Sequence, residues 1–215
     1  LATQLASERA AVLEGLGSLR AARGDTLGAI GRHREAASAL ERLAAIAPHL
    51  DLREERYTNR LDTGDALWEV GQVPGAVAEY EEALRLLAAW TAATPGEARF
   101  RHWEGVLSQR LGDALALDGR WGEALVRQQR SLALDEALAQ EHPDDGAKQR
   151  DLGTDHVRMG MTLGALGRHA EALAEHQRAR DLRERLYRQD PKNQTAANEA
   201  AESRVYHAIA WSAVG

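Results

Sequence analysis

Small, apolar and polar positions recur along this chain in a fixed order. A small residue opens each run at Gly24, Gly64, Gly112, Gly160 and Ala208. Three positions later stands a large apolar one: Leu27, Leu67, Leu115, Leu163 and Trp211. A glycine follows seven positions after each opening, at Gly31, Gly71, Gly119, Gly167 and Gly215, and five beyond it an alanine recurs at Ala36, Ala76, Ala124 and Ala172. Pro48, Pro95, Pro143 and Pro191 close the runs. The last three steps between openings are equal, and the first is eight positions shorter. This order predicts paired helices. The opening residue lets two helices approach closely, and the apolar residue three positions on shares its face. The second glycine fits a helix C-terminus, where the left-handed conformation is cheap only for glycine. The alanine lets the second helix press on the first, and proline stops it. The expected helices are 5–30, 32–47, 49–70, 73–94, 97–118, 121–141, 145–166, 169–189 and 192–214, with no strands.

The strings around these positions agree: GDTLGAIGRHREAA from Gly24, GDALWEVGQVPGAV from Gly64, GDALALDGRWGEAL from Gly112 and GMTLGALGRHAEAL from Gly160. Their order of small residue, leucine, glycine, Glu-Ala and closing proline resembles the tetratricopeptide repeat (TPR), a helix–turn–helix unit, over nearly the whole chain. Ala208 departs from that pattern, as does Leu43, where a small residue late in the second helix is usual. The resemblance implies an all-α, right-handed superhelical solenoid of about nine antiparallel helices. The period here is about 48 residues, against about 34 in a standard unit. The stretch from the second glycine to the closing proline shows where the extra length lies. It is equal for Gly71 to Pro95, Gly119 to Pro143 and Gly167 to Pro191, and seven positions shorter for Gly31 to Pro48. Both helices of a unit have therefore gained about seven residues, close to two turns, which nearly preserves the buried face. One solenoid over 1–215 is expected, with units of about 5–48, 49–95, 96–143 and 144–191 and a final helix 192–215. The first unit keeps a short second helix in this reading. The start at Leu1 and the stop at Gly215 suggest a piece of a larger protein. Such long-helix repeats resemble those of large bacterial signalling and defence proteins.

Composition narrows the chemistry. The 215 residues are 44% hydrophobic, too much for disorder, and carry a net charge of −6, which disfavours nonspecific nucleic-acid binding. The absence of cysteine removes disulfides, thiol nucleophiles and cysteine-bound metals. A membrane-spanning helix needs roughly 18 or more consecutive apolar residues, and no stretch comes near that length, so no span is expected. A cytoplasmic protein fits these features. No metalloprotease, P-loop or nucleophile-elbow motif occurs, and GMTLGALG lies inside a repeat helix rather than in a phosphate loop. His169 and His176 fall on packing slots, and Asp144 and Asp145 read as helix caps. No catalytic residue, cofactor or metal is expected.

The function expected is binding. In the TPR family the first helix of each unit lines the concave face and ligands lie there. The matching positions nominate Asp25, Asp62, Asp65, Trp68, Glu69, Gln109, Asp113, Val157 and Met161. Members that clamp a peptide carboxylate use Asn and Lys at such places. Aspartate here favours a basic protein or peptide partner instead. The acidic stripe gives way to an apolar floor of Val157, Met161 and Val205 in the second half, and Trp68 is the best single anchor. Trp90 and Trp103 are expected to pack together within the added turns. An adjoining effector domain and self-association through the array ends are compatible with this reading. The alternative is a small-molecule sensor or enzyme pocket within the superhelix.

Overall fold

A computed structural model of the chain describes residues 2–142 and 144–214, with side chains from residue 7 onward apart from Ala98. Pro143 and Gly215, two of the expected repeat positions, lie outside the described residues. Among the described residues the fold is all-α, with nine helices: α1 (Ala2–Ala22), α2 (Thr26–Ile46), α3 (Arg53–Glu69), α4 (Val73–Ala93), α5 (Ala98–Leu117), α6 (Trp121–Glu141), α7 (Gly146–Ala165), α8 (His169–Gln189) and α9 (Gln194–Ser212). They fall into two compact units, Leu1–Leu107 and Ser108–Gly215, with the division inside α5.

The helix pairs are joined by one repeated turn. Gly24, Gly71, Gly119 and Gly167 have φ between 72 and 79°, the left-handed region that favours glycine. At each, the glycine N–H donates to the carbonyl three positions back, as from Gly71 to Trp68, and the next N–H donates five back, as from Gln72 to Leu67. That pairing satisfies carbonyls left open at the helix end. Ala47, Thr94, His142 and Asp190 cap the second helices, and Pro48, Pro95 and Pro191 follow three of these caps directly.

The first unit corrects the expected register. The turn falls at Gly24, and Gly31 lies inside α2. The glycine of close approach is therefore Gly17, not Gly24. A Cβ on Gly17 would meet the His33 ring at 2.7 Å, just as one on Gly64 would meet Tyr80, on Gly112 Gln128 and on Gly160 His176. The spacing from glycine to packed residue is the same in all four pairs. With Gly17 as the opening residue the first step comes within one position of the others, and Gly24 to Pro48 matches Gly71 to Pro95 in length. No second helix is shortened. Leu43 is no departure either, because the small residue late in α2 is Ala36, matching Ala83, Ser131 and Ala179, all buried. Leu27, expected in the core, is 66% exposed.

Asp25 explains the local choice. Its side chain accepts the Gly28 N–H at 3.0 Å, capping α2, and pairs with Arg20 at 2.9 Å. Met161, at the matching place in the similar string GMTLGALG, has no acceptor with which to start a helix, and α7 runs through it.

Within unit 1, α1 packs on α2, α2 on α3 and α3 on α4. Tyr57 and Trp103 stack at 4.5 Å, and Trp90 meets Trp103 edge-on at 6.5 Å and Phe100 at 6.4 Å. Trp90 and Trp103 thus pack together as expected. Within unit 2, α6 packs on α7, α7 on α8 and α8 on α9. Its core includes Leu125, Leu132, Met159, Leu163 and Ala172. Trp211 occupies the leucine position of α9 but is 68% exposed, since among the described residues no helix covers that face.

Candidate functional site

The expected binding surface is the free face of the first helix in each pair. In unit 1 that face is carried chiefly by α3. Asp62, Asp65 and Glu69 stand at i, i+3 and i+7, which brings them to one stripe of the helix, and Trp68 borders them. Asp62, Asp65 and Trp68 are half-buried and Glu69 is exposed. Asp65 accepts the Tyr80 hydroxyl at 2.5 Å. This bond holds the ring of Tyr80 over Gly64, so a surface carboxylate also locks a core contact. Burial pushes the Asp62 carboxyl above its ordinary range. His33 opposes that shift and the neighbouring Asp65 adds to it. Glu69 lies at the edge of hydrogen-bonding reach of Thr26 Oγ1, 3.5 Å.

Asp25 does not join this stripe. It sits in the turn before α2, committed to capping and to Arg20. The corrected register puts Ser18 at its place on α1 and brings in Glu14, three positions before Gly17. Glu14 is half-buried, and burial raises its affinity for a proton while the Asn59 side chain opposes the rise. Beneath lies Asn59, which donates to the His33 carbonyl at 2.9 Å. Sequence reasoning missed Glu14 and Asn59. The signal was present in the interval from Gly24 to Pro48, whose match to the other units selects Gly17 as the opening residue.

In unit 2 the expected residues divide. Asp113 is half-buried and ion-paired with Arg158 at 3.0 Å, so its charge is neutralised from the next first helix. Burial pushes its carboxyl up, against the pull of Arg158 and Arg110. Val157 is buried and therefore belongs to the core rather than to an open floor. Met161 is exposed, as are Val205 and Ile209, and Gln109 is half-buried.

Beneath this surface, α7 carries a buried polar network. Asp155 lies 3.7 Å from Arg158, and its Oδ2 has no hydrogen-bond partner. Burial, together with the adjacent Asp135 carboxyl, pushes Asp155 up to about 8. His156 meets Glu175 at 2.7 Å, and Glu175 also binds Arg178. His176 is buried against Gly160 and stacks on Tyr206, which fits a packing slot, whereas His169 is exposed at the first position of α8. Among the described residues no three His, Asp or Glu are placed to hold a metal ion. No helix among them is long and apolar enough to cross a membrane.

These features define an all-α protein built of repeated helix–turn–helix units. The particular fold is TPR-like. The crystal structure of BtubC (BKLC) from P. vanneervenii matches at a TM-score of 0.70 and 14% identity, over 99% of this chain and 83% of that one. A Podosopora anserina kinesin light chain protein with nearly identical TPR-like repeats matches at 0.50 and 20% identity, over 94% of this chain and 98% of that one. The Rap conjugation gene regulator of plasmid pLS20, solved with the Phr* peptide, matches at 0.53 and 16% identity, over 87% of this chain and half of that one. No protein-family model and no curated protein matches the sequence.

Proposed function

We propose that this chain is a non-enzymatic, protein- or peptide-binding scaffold that holds a basic partner on the free face of its first helices. The observation that carries the reading is the α3 stripe. Trp68 stands half-exposed beside Asp62, Asp65 and Glu69, on a helix that buries Thr63, Ala66 and Leu67. An aromatic plane bordered by carboxylates suits a cationic segment with an alkyl stem, through cation–π contact and charge. The fold it shares with a regulator solved with a peptide supports the same reading. Gln109 and Met161 are the corresponding contacts proposed in unit 2, where Arg158 already neutralises Asp113. Docking or sensing within a larger bacterial signalling or defence protein, in the cytoplasm, is the proposed setting.

Selection from a displayed peptide library tests this. Binders should be rich in Arg and Lys, and Trp68→Ala and Glu69→Lys should each weaken them by at least about fivefold. Enrichment of acidic or purely apolar peptides, indifferent to both substitutions, would remove the reading.

A further inference from the structure

One arginine of unit 2 stands between two carboxyls. Arg158, on α7, holds Asp113 of α5 through its Nε at 3.0 Å. Its Nη1 lies 3.7 Å from Asp155 Oδ1 on its own helix, just beyond hydrogen-bonding distance. That Nη1 is buried and makes no hydrogen bond among the described residues. The two carboxyls differ in their access to water. The Asp113 side chain is 27% exposed and that of Asp155 is 3% exposed.

The surroundings explain why Arg158 sits on Asp113. From α6 the Asp135 carboxyl and the Ser131 hydroxyl face Asp155, and burial together with Asp135 keeps the Asp155 proton in place up to about 8. A protonated Asp155 carries no charge to draw the guanidinium. Arg110 of α5 is exposed and acts on Asp113 by charge alone, which water screens. The charged groups that reach α7 from α8 and α9 are already paired: Glu175 with His156 and Arg178, Arg183 with Glu202, and Glu199 with Arg150. Loss of the Asp155 proton therefore leaves one guanidinium facing two carboxylates. Burial decides which of them keeps it. An unpaired charge is far more costly at Asp155, which water hardly reaches, than at Asp113. Nη1 needs to move by only about 1 Å to bond Asp155.

We propose that Arg158 is a clasp that exchanges Asp113 for Asp155, and that the Asp113 carboxylate so released takes a cationic side chain of the partner. This rests on the scaffold reading above and adds Asp113 to the contacts of unit 2. The charges balance. Before the exchange Asp155 is protonated and Arg158 neutralises Asp113. Afterwards Arg158 neutralises Asp155, the partner's ammonium or guanidinium neutralises Asp113, and one proton has passed from Asp155 to water. Binding therefore releases a proton at neutral pH and tightens as pH rises through the titration of Asp155.

The intact chain tests the clasp without a partner. The side-chain carboxyl ¹³C signals of Asp113 and Asp155 and the ¹⁵Nε signal of Arg158 are followed from pH 5.5 to 9.5. All three should move with one midpoint, and Asp155→Asn should leave the Asp113 and Arg158 signals flat. Signals of Asp113 and Arg158 that stay still while Asp155 titrates, or that still move in Asp155→Asn, would overturn the clasp. An arginine-rich, alanine-based peptide tests the released carboxylate. Its binding should tighten about fivefold from pH 6 to pH 9. Asp155→Asn and Asp113→Asn should each abolish that gain, with the circular dichroism spectrum unchanged. The Asp155→Asn control separates the clasp from the histidines, which lose charge over the same interval. A gain that survives both substitutions, or no gain at all, would overturn the role of Asp113, and the scaffold reading survives if binding still falls with Trp68→Ala. No binding at either pH would overturn both.

Discussion

Single glycines divide this chain into roles that look alike in sequence. Gly31 lies inside α2 with nothing near the position of an added Cβ. Gly31→Ala should therefore stabilise the protein by about 1 kcal/mol, the helix-propensity difference. Gly24→Ala should destabilise it by about 1 kcal/mol or more, because φ is +78°. Gly160→Ala places a methyl against the His176 ring at 2.6 Å, and that ring is held from its other side by Tyr206, so a loss of about 1–3 kcal/mol is expected. Urea titration of the three variants checks the set. The opposite signs at Gly31 and Gly24 are the sharpest outcome, since the register first read from the sequence would make both substitutions destabilising. That register was ambiguous for a physical reason. Gly17, Gly24 and Gly31 are spaced by sevens, and local likeness to the Gly160 string favours the later pair. What decides is a contact from the next helix, His33 on Gly17, which local likeness does not report.

At the scale of elements, the added turns acquire a core of their own. Tyr57, Trp90, Phe100 and Trp103 form one aromatic group from α3, α4 and α5, flanked by Arg53, Arg56 and Arg99 over the ring faces. Trp103 is buried, and Trp103→Ala should cost about 3–5 kcal/mol. Trp68, half-exposed on α3, should cost far less when changed to alanine while reducing partner binding. Thermal unfolding of the two variants side by side separates a packing tryptophan from a binding one. Helix number, most helix ends beyond the first pair and the Trp90–Trp103 contact were legible because proline stops, glycine turns and small contact residues are dictated by backbone geometry, whereas the first turn was expected at Gly31 and falls at Gly24. The candidate site was legible only in part. Glu69 and Trp68 follow from position along one helix. The pairing of Asp113 on α5 with Arg158 on α7, and the burial of Val157, depend on which helix lies alongside.

For the whole molecule, the distribution of carboxyl environments sets the response to pH. Asp51, Glu82, Glu123, Asp145, Glu171 and Asp181 are drawn down by arginine, glutamine or backbone donors, but they lie at the surface, where screening leaves such pairs little effect on stability. Glu14, Asp62, Asp113, Asp151 and Asp155 are pushed up, each chiefly by burial. A carboxyl with a raised pKa holds its proton more tightly in the folded chain than in the unfolded one. The stability it contributes is complete below the unfolded value and is lost as pH rises through the folded one. For Asp155 that window runs from its ordinary value of 3.8 to about 8. The folded chain should therefore unfold at a higher temperature near pH 5 than near pH 8. Asp155→Asn removes the titrating proton while keeping the shape, so it should flatten the decline and raise the midpoint at pH 8 relative to the unsubstituted chain. Melting curves of the two proteins at pH 5, 6.5 and 8 measure this. Parallel curves for the two would show that ionisation of Asp155 is not what weakens the fold. If the midpoint instead rises towards pH 8, the histidines whose pKa burial holds down, His33, His176 and His207, outweigh the buried carboxyls, because each favours the folded chain as pH rises through its ordinary value of 6.5.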